Sequence, residues 1–177
     1  SGNILWRENN PHFVDFDDDG DLDLLLGNLG KNNMLSVSPE TPLIISTRDL
    51  DKNGSIDPLM FNSQQNKNGE WDMFPVQFWD NLTQQSPLFR KEFNSYHAFS
   101  KANMNYYQEK EYLIKDSLLS AKHDTSKWLE NLGSNTFKLN TLPDPLQLGP
   151  INDFLVIETA EDQSVFVIGN DFGGPPF

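Results

Sequence analysis

The chain has no cysteine among its 177 residues, which excludes disulfide scaffolds, thiolate zinc sites and cysteine nucleophiles. It also lacks any apolar run near the roughly 20 residues a membrane helix needs, so no membrane insertion is expected. Basic residues are scarce: 13 Lys and Arg against 26 Asp and Glu give a formal charge of -13. Phosphate backbones and anionic lipids both call for a Lys/Arg surface, so nucleic acid and lipid headgroups are disfavoured as partners. The three histidines, His12, His97 and His123, lie far apart with no H-E-x-x-H spacing. No G-x-S-x-G elbow exists. Gly27-Asn28-Leu29-Gly30-Lys31 has the wrong spacing for a phosphate loop, and Asn32 stands where Ser or Thr is needed. No enzymatic activity is expected. The catalytic alternative these absences leave open is a carboxylate pair for glycoside hydrolysis, whose separation a sequence cannot measure.

What is present argues for a folded chain. Apolar residues make up 37% and aromatics 12%, with thirteen Phe and four Trp, too many for a disordered segment. The start, Ser1-Gly2-Asn3, has no initiator Met and no basic stretch leading into an apolar one. The chain is therefore expected to be an excised or processed piece, without a signal peptide of its own.

The dominant feature is acidic. Residues 15 to 23 read Asp-Phe-Asp-Asp-Asp-Gly-Asp-Leu-Asp, and residues 49 to 57 read Asp-Leu-Asp-Lys-Asn-Gly-Ser-Ile-Asp. Both fit D-x-D-x-(D/N)-G-x-x-D. Oxygens at positions one, three, five and nine can close on one hard cation only if the chain curls tightly at the glycine. Calcium suits them, because it accepts six to eight oxygens at about 2.3–2.6 Å in a flexible shell. Without a cation, the six carboxylates of the first loop repel one another. An EF-hand needs a bidentate Glu at position twelve and flanking helices. Here those positions are Leu26 and Met60, inside apolar runs that read as strands.

Along the chain, strands are expected at Ile4-Leu5-Trp6-Arg7, at Leu22 to Leu26, at Met34-Leu35-Ser36-Val37 and at Leu43-Ile44-Ile45, separated by turn-forming stretches such as Glu8 to Pro11 and Gly27 to Asn33. The acidic pattern recurs from Asp15 to Asp49, the spacing of one supersecondary unit. Between about Gln77 and Lys122 apolar residues fall at helical offsets (Leu88, Phe89, Phe93, Tyr96, Phe99, Tyr112, Leu113), and Ser86-Pro87 reads as an N-cap with proline at the first helical position. Two or three short helices are expected there. Ile151 to Ile157 and Val165 to Ile168 are further strands. Leu129-Glu130-Asn131 echoes the Glu8-Asn9 region, and Gly169-Asn170 echoes Gly27-Asn28. Aligning the two Gly-Asn pairs puts Ile157, Thr159, Glu161, Gln163 and Val165 at ligand positions, and no glycine makes the turn. A metal-free hairpin is expected there.

Phe13-Val14, the loop Asp15 to Asp23, Leu24-Leu25-Leu26 and Gly27-Asn28 resemble the FG-GAP-type or VCBS-type repeat of integrin α-subunit propellers and many bacterial surface proteins. Gly27 to Gly30, Asp51 to Asp57, a helical insertion, Leu129 to Gly133 and Gly169-Asn170 resemble the bacterial branch related to cartilage acidic protein. The resemblance implies a mainly β, propeller-like fold, here an incomplete propeller fragment with a helical insertion, with calcium in a loop between strands of a blade.

The implied organisation is one structural unit in three parts: two calcium-loop repeats over 1–62, a mostly helical insertion over 63–125, and a further β repeat with a degenerate loop over 126–177. Two structural calcium sites are expected. The first takes the side chains of Asp15, Asp17, Asp19 and Asp23 with the carbonyl of Asp21, the second those of Asp49, Asp51, Asn53 and Asp57 with the carbonyl of Ser55. With Asn53 and Lys52 in place of acids, the second is expected to bind more weakly. The resemblance also implies an exported protein, at a cell surface, periplasmic or extracellular, where modest sites fill at external calcium levels. Its expected role is a non-enzymatic scaffold for protein or glycan binding and adhesion. Carbohydrate recognition or processing and a purely architectural role in a surface assembly are the alternatives. Exposed sheet edges could also pair copies of the chain. Trp71, Phe74, Phe78 and Trp79 are expected either to offer a sugar- or protein-docking patch or to pack the insertion onto the sheet.

Overall fold

The computed structural model describes residues 11–35, 37–159 and 163–169. In chain order its elements are β1 (His12–Val14), β2 (Asp23–Leu26), β3 (Leu43–Ser46), β4 (Leu59–Gln65), β5 (Trp71–Pro75), α1 (Trp79–Gln85), α2 (Pro87–Glu92), α3 (Tyr96–Phe99), α4 (Met104–Glu109), β6 (Leu118–Ala121), β7 (Lys127–Asn131), β8 (Phe137–Thr141), β9 (Asp153–Glu158) and β10 (Gln163–Ile168). The chain is mainly β and antiparallel. Its sheets have the orders β1-β2-β7-β8, β5-β4-β3-β6 and β10-β9. Among the described residues these sheets do not close into a propeller. The strand expected at residues 4–7, the turn at 8–10 and Asn170 lie outside the described residues.

One structural unit was expected, but the chain divides into two compact ones. Leu35–Lys122 forms the body of one, and Ile4–Met34 with His123–Phe177 forms the other. The insertion is thus longer than the helical stretch alone. β3 pairs with β4 on one side and β6 on the other, which joins Asp49–Asp57 to the helices and leaves Asp15–Asp23 in the other unit. No strand forms at Met34, Leu35 or Val37.

In the inserted unit the helices bury one face of the sheet. Leu59 and Phe61 of β4 pack with Leu82, Phe89, Phe93 and Tyr107 from the helical stretch, all at most 2% exposed. The helices number four, more than expected, and each is short. Short helices gain little from propagation, so caps and packing must hold them. Ser86 caps α2 as the sequence suggests: its Oγ accepts the N–H of Leu88 at 3.4 Å, and Pro87 follows at the first helical position. Ser95 and Asn103 cap α3 and α4 in the same way. Within this core the carboxylate of Glu92 accepts the hydroxyls of Tyr106 and Tyr112 and pairs with Lys110 at 3.1 Å.

The outer unit packs the β9–β10 ribbon on one face of its four-stranded sheet. Phe154, Val156, Val165 and Val167 meet Val14, Leu25, Leu142 and Ile151. The strands expected at Ile151 to Ile157 and Val165 to Ile168 form this ribbon, paired Val156 to Val165, while residues 160–162 of the metal-free hairpin expected at Ile157 to Val165, Glu161 among them, lie outside the described residues. Gly27-Asn28 turns the chain out of β2 into a buried polar knot. Asn28 N–H donates to Ser126 Oγ at 3.0 Å, and Gln147 Nε2 donates to the carbonyls of Ser126 and Leu142 at 2.8 and 3.0 Å. Gly30 has φ 80°, and a Cβ there would lie 2.5 Å from the carbonyl oxygen of Gln147. Lys31 belongs to the same turn and pairs with Asp144 at 2.6 Å.

Two outcomes are expected. Gly30→Ala adds left-handed strain to a backbone clash and should cost about 3 kcal/mol in chemical denaturation. Glu92 lies below the usual carboxylate range, chiefly because Tyr106 donates to it. Its share of stability is therefore present above its unfolded value near 4.5 and lost as pH falls through the lower folded value. Tyr106 and Tyr112 are pushed up to about 12 by burial and by Glu92, so their share is full below 10 and lost as pH rises through about 12. Glu92→Gln should cost about 1–3 kcal/mol at neutral pH and flatten the acid limb of a stability–pH curve.

Candidate metal loops

The two acidic loops have the same construction. The first joins the antiparallel strands β1 and β2, the second joins β3 and β4, and neither is flanked by helices. In the first, Asp19 and Gly20 donate their N–H groups to Asp15 Oδ1 and Oδ2 at 3.1 and 3.0 Å, and Asp21 donates to Asp19 Oδ1 at 3.1 Å. In the second, Asn53 and Gly54 donate to Asp49 Oδ1 and Oδ2 at 3.0 and 2.8 Å, and Ser55 donates to Asn53 Oδ1 at 2.8 Å. Left-handed residues fall at matching places: Asp18 and Lys52 at φ 60°, Gly20 at 94° and Gly54 at 92°. The glycines make the tight curl that brings late loop residues back over the first aspartate.

The ninth residue of each loop has a different surrounding from the others. Asp23 and Asp57 are each 2% exposed. Asp23 Oδ2 accepts the N–H of Phe16 at 3.1 Å and its Oδ1 accepts that of Asn131 at 2.8 Å. Asp57 Oδ2 accepts the N–H of Leu50 at 2.8 Å. These buried carboxylates tie the loop back to its strands.

Carboxylate oxygens of Asp15, Asp17 and Asp19 gather within 4.8 Å of one another, as do those of Asp49, Asp51 and Asp57. Of the expected side-chain ligands, Asp23 stands apart from the first of these carboxylate trios. Like-charge crowding is visible in the first loop. Asp17 and Asp21 are both raised above their ordinary value, first by desolvation and then by Asp19 and Asp23. Asp21 Oδ1 is shut off from solvent with no hydrogen-bond partner. A hard cation fits such a donor set, all oxygen and mostly anionic, better than a soft metal does.

Three side chains bear on the loops that motif reading did not supply. Ser86, the cap of α2, donates its hydroxyl to Asp51 Oδ2 at 3.1 Å. Gln163 of β10 donates to the carbonyl of Asp15 at 2.9 Å. Asn131 of β7 donates its side-chain amide to the carbonyl of Leu22 and its backbone N–H to Asp23 Oδ1. The sequence marked Ser86 as a helix cap, Gln163 as a position of the degenerate third loop and Asn131 as part of the Leu129-Glu130-Asn131 echo, but it connected none of them to these loops.

Of the four aromatics near the start of the helical stretch, Trp71 and Phe78 are exposed, while Phe74 and Trp79 are half-buried. Trp79 packs edge-on against Tyr96 at 4.5 Å, and the Tyr96 hydroxyl donates to Asp80 at 2.7 Å. His12 lies on β1, His97 on α3 and His123 in the connection between β6 and β7, and none belongs to a possible metal-holding cluster among the described residues. Among the described residues no helix is long and apolar enough to cross a membrane. No family model matches the chain, and no curated protein or solved structure is significantly similar to it.

The two kinds of aspartate should separate on mutation in chelator. Asp23→Ala strands two part-buried N–H groups, those of Phe16 and Asn131, and should cost about 1–3 kcal/mol in urea unfolding. Asp17→Ala removes only an exposed, repelled carboxylate and should change stability by about 0.5 kcal/mol or less.

Proposed function

We propose that the chain is a non-enzymatic, calcium-stabilised scaffold of the FG-GAP/VCBS kind, part of a propeller-like array in an exported protein, with two structural calcium sites. The observation that carries this reading is the shared architecture of the two loops. Each draws aspartate oxygens together in a glycine-curled turn between antiparallel strands, with a buried ninth carboxylate beneath. All candidate ligands of a site come from one nine-residue loop, a closed arrangement that suits a structural ion better than a catalytic one with an open position. Calcium there neutralises repulsion and clamps neighbouring strands.

The first loop is the tighter site, with Asp15, Asp17, Asp19 and Asp23 and the Asp21 carbonyl as its ligands. The second, with Asp49, Asp51, Asn53 and Asp57 and the Ser55 carbonyl, is weaker because Asn53 and Lys52 reduce its negative charge. The scaffold works by presenting a surface to a protein or glycan at the cell exterior. Trp71 and Phe78 are exposed aromatic residues suited to such contacts.

Calcium at about one hundred times its dissociation constant should add about 2.7 kcal/mol per site and raise the melting temperature, and chelator should reverse the gain. Isothermal titration should resolve two affinities, with Asp17→Ala abolishing the tighter and Asp51→Ala the weaker. Absence of calcium uptake would overturn the assignment.

A further inference from the structure

We infer that Asn53 is a site of self-catalysed deamidation, driven by groups the second acidic loop already holds in place. The reaction begins when the backbone nitrogen of Gly54 attacks Cγ of Asn53. Three features favour it. First, Gly54 has no side chain to shield its nitrogen and sits at φ 92° with nothing within 4 Å of where a Cβ would be. Second, its N–H donates to Asp49 Oδ2 at 2.8 Å, so a carboxylate lies within reach of the proton that must leave. Third, Asn53 Oδ1 accepts the N–H of Ser55 at 2.8 Å, placing a donor on the oxygen that gains negative charge as the nitrogen adds. Asn53, Gly54 and Ser55 are all exposed, so water has access.

The step balances without any cofactor. Asp49 takes the Gly54 amide proton as the new N–Cγ bond forms. The Cγ–Nδ2 bond then breaks, and ammonia departs carrying that proton. A five-membered succinimide remains between Asn53 and Gly54, and one water opens it. Attack at one carbonyl leaves aspartate at position 53, giving the second loop an acid at the place Asp19 holds in the first. Attack at the other leaves isoaspartate, which routes the main chain through the former side chain and lengthens the loop by one backbone atom.

The same molecule carries a control. Asn68-Gly69 lies in the turn between β4 and β5, also with a left-handed glycine, at φ 82°. There the Gly69 N–H donates to the backbone carbonyl of Asn66 at 2.9 Å, a much weaker base than a carboxylate. The intact protein would be held in chelator at neutral pH, and proteolytic peptides would be followed over time by mass spectrometry, with ammonia release as a second readout. Asn53 should convert roughly tenfold faster than Asn68. Asp49→Asn, which keeps an acceptor but removes the base, should bring Asn53 down towards the rate of Asn68 and leave Asn68 unchanged. Equal or slower conversion of Asn53 than of Asn68 in the unaltered protein, or undiminished conversion in Asp49→Asn, would overturn the inference. Because every rate is read without metal, the outcome is independent of whether the loops take calcium.

Discussion

Two buried carboxylates, Asp23 and Asp57, hold the acidic loops in register with their strands. A carboxylate at 2% exposure is tolerable only if its oxygens are hydrogen-bonded, and both meet that condition by accepting the N–H of the second loop residue, Phe16 or Leu50. That bond fixes the loop's diameter. The remaining acids, crowded above it, then have nowhere to spread. Backbone N–H groups at the turn offset part of the charge of the first aspartate in each loop.

The loops were legible in the sequence because the aspartates, the Asn and the glycine that give each its curl lie within nine residues. The strand pairs on either side followed from short apolar runs, and the cap at Ser86-Pro87 followed from local chemistry. What the sequence did not disclose depends on distant partners. Asn131 reaches Asp23 across 108 residues and Gln163 reaches Asp15 across 148, and no spacing rule connects such pairs. The boundary of the insertion was misplaced for the same reason. Leu43-Ile44-Ile45 reads as a strand but does not name its neighbours, and only pairing with β6 reveals that it belongs with the helices. Of the short apolar run Met34 to Val37, the described residues Met34, Leu35 and Val37 stay irregular.

Polar burial marks both units in different ways. The outer unit buries Asn28, Ser126 and Gln147 where the chain leaves β2 and returns to β7, and each donor there finds a carbonyl or hydroxyl. The inserted unit places a charged carboxylate among tyrosines. Phenols that donate to Glu92 spread its charge over two hydroxyls, so the group is retained inside an aromatic cluster of Phe89, Phe93, Tyr106, Tyr107 and Tyr112.

The interrupted outer unit has a kinetic corollary. Asn28 and Ser126 are 98 residues apart in the chain, so β2 and β7 face a long closure in an unstructured polypeptide. Within the inserted unit, β3 and β6 set Leu43 beside Ala121. Once that pair has formed, the separation to be bridged shrinks to residues 27–42 on one side and 122–126 on the other. The contiguous unit can emerge from the ribosome and collapse first, and by doing so it delivers the two halves of the outer sheet to each other.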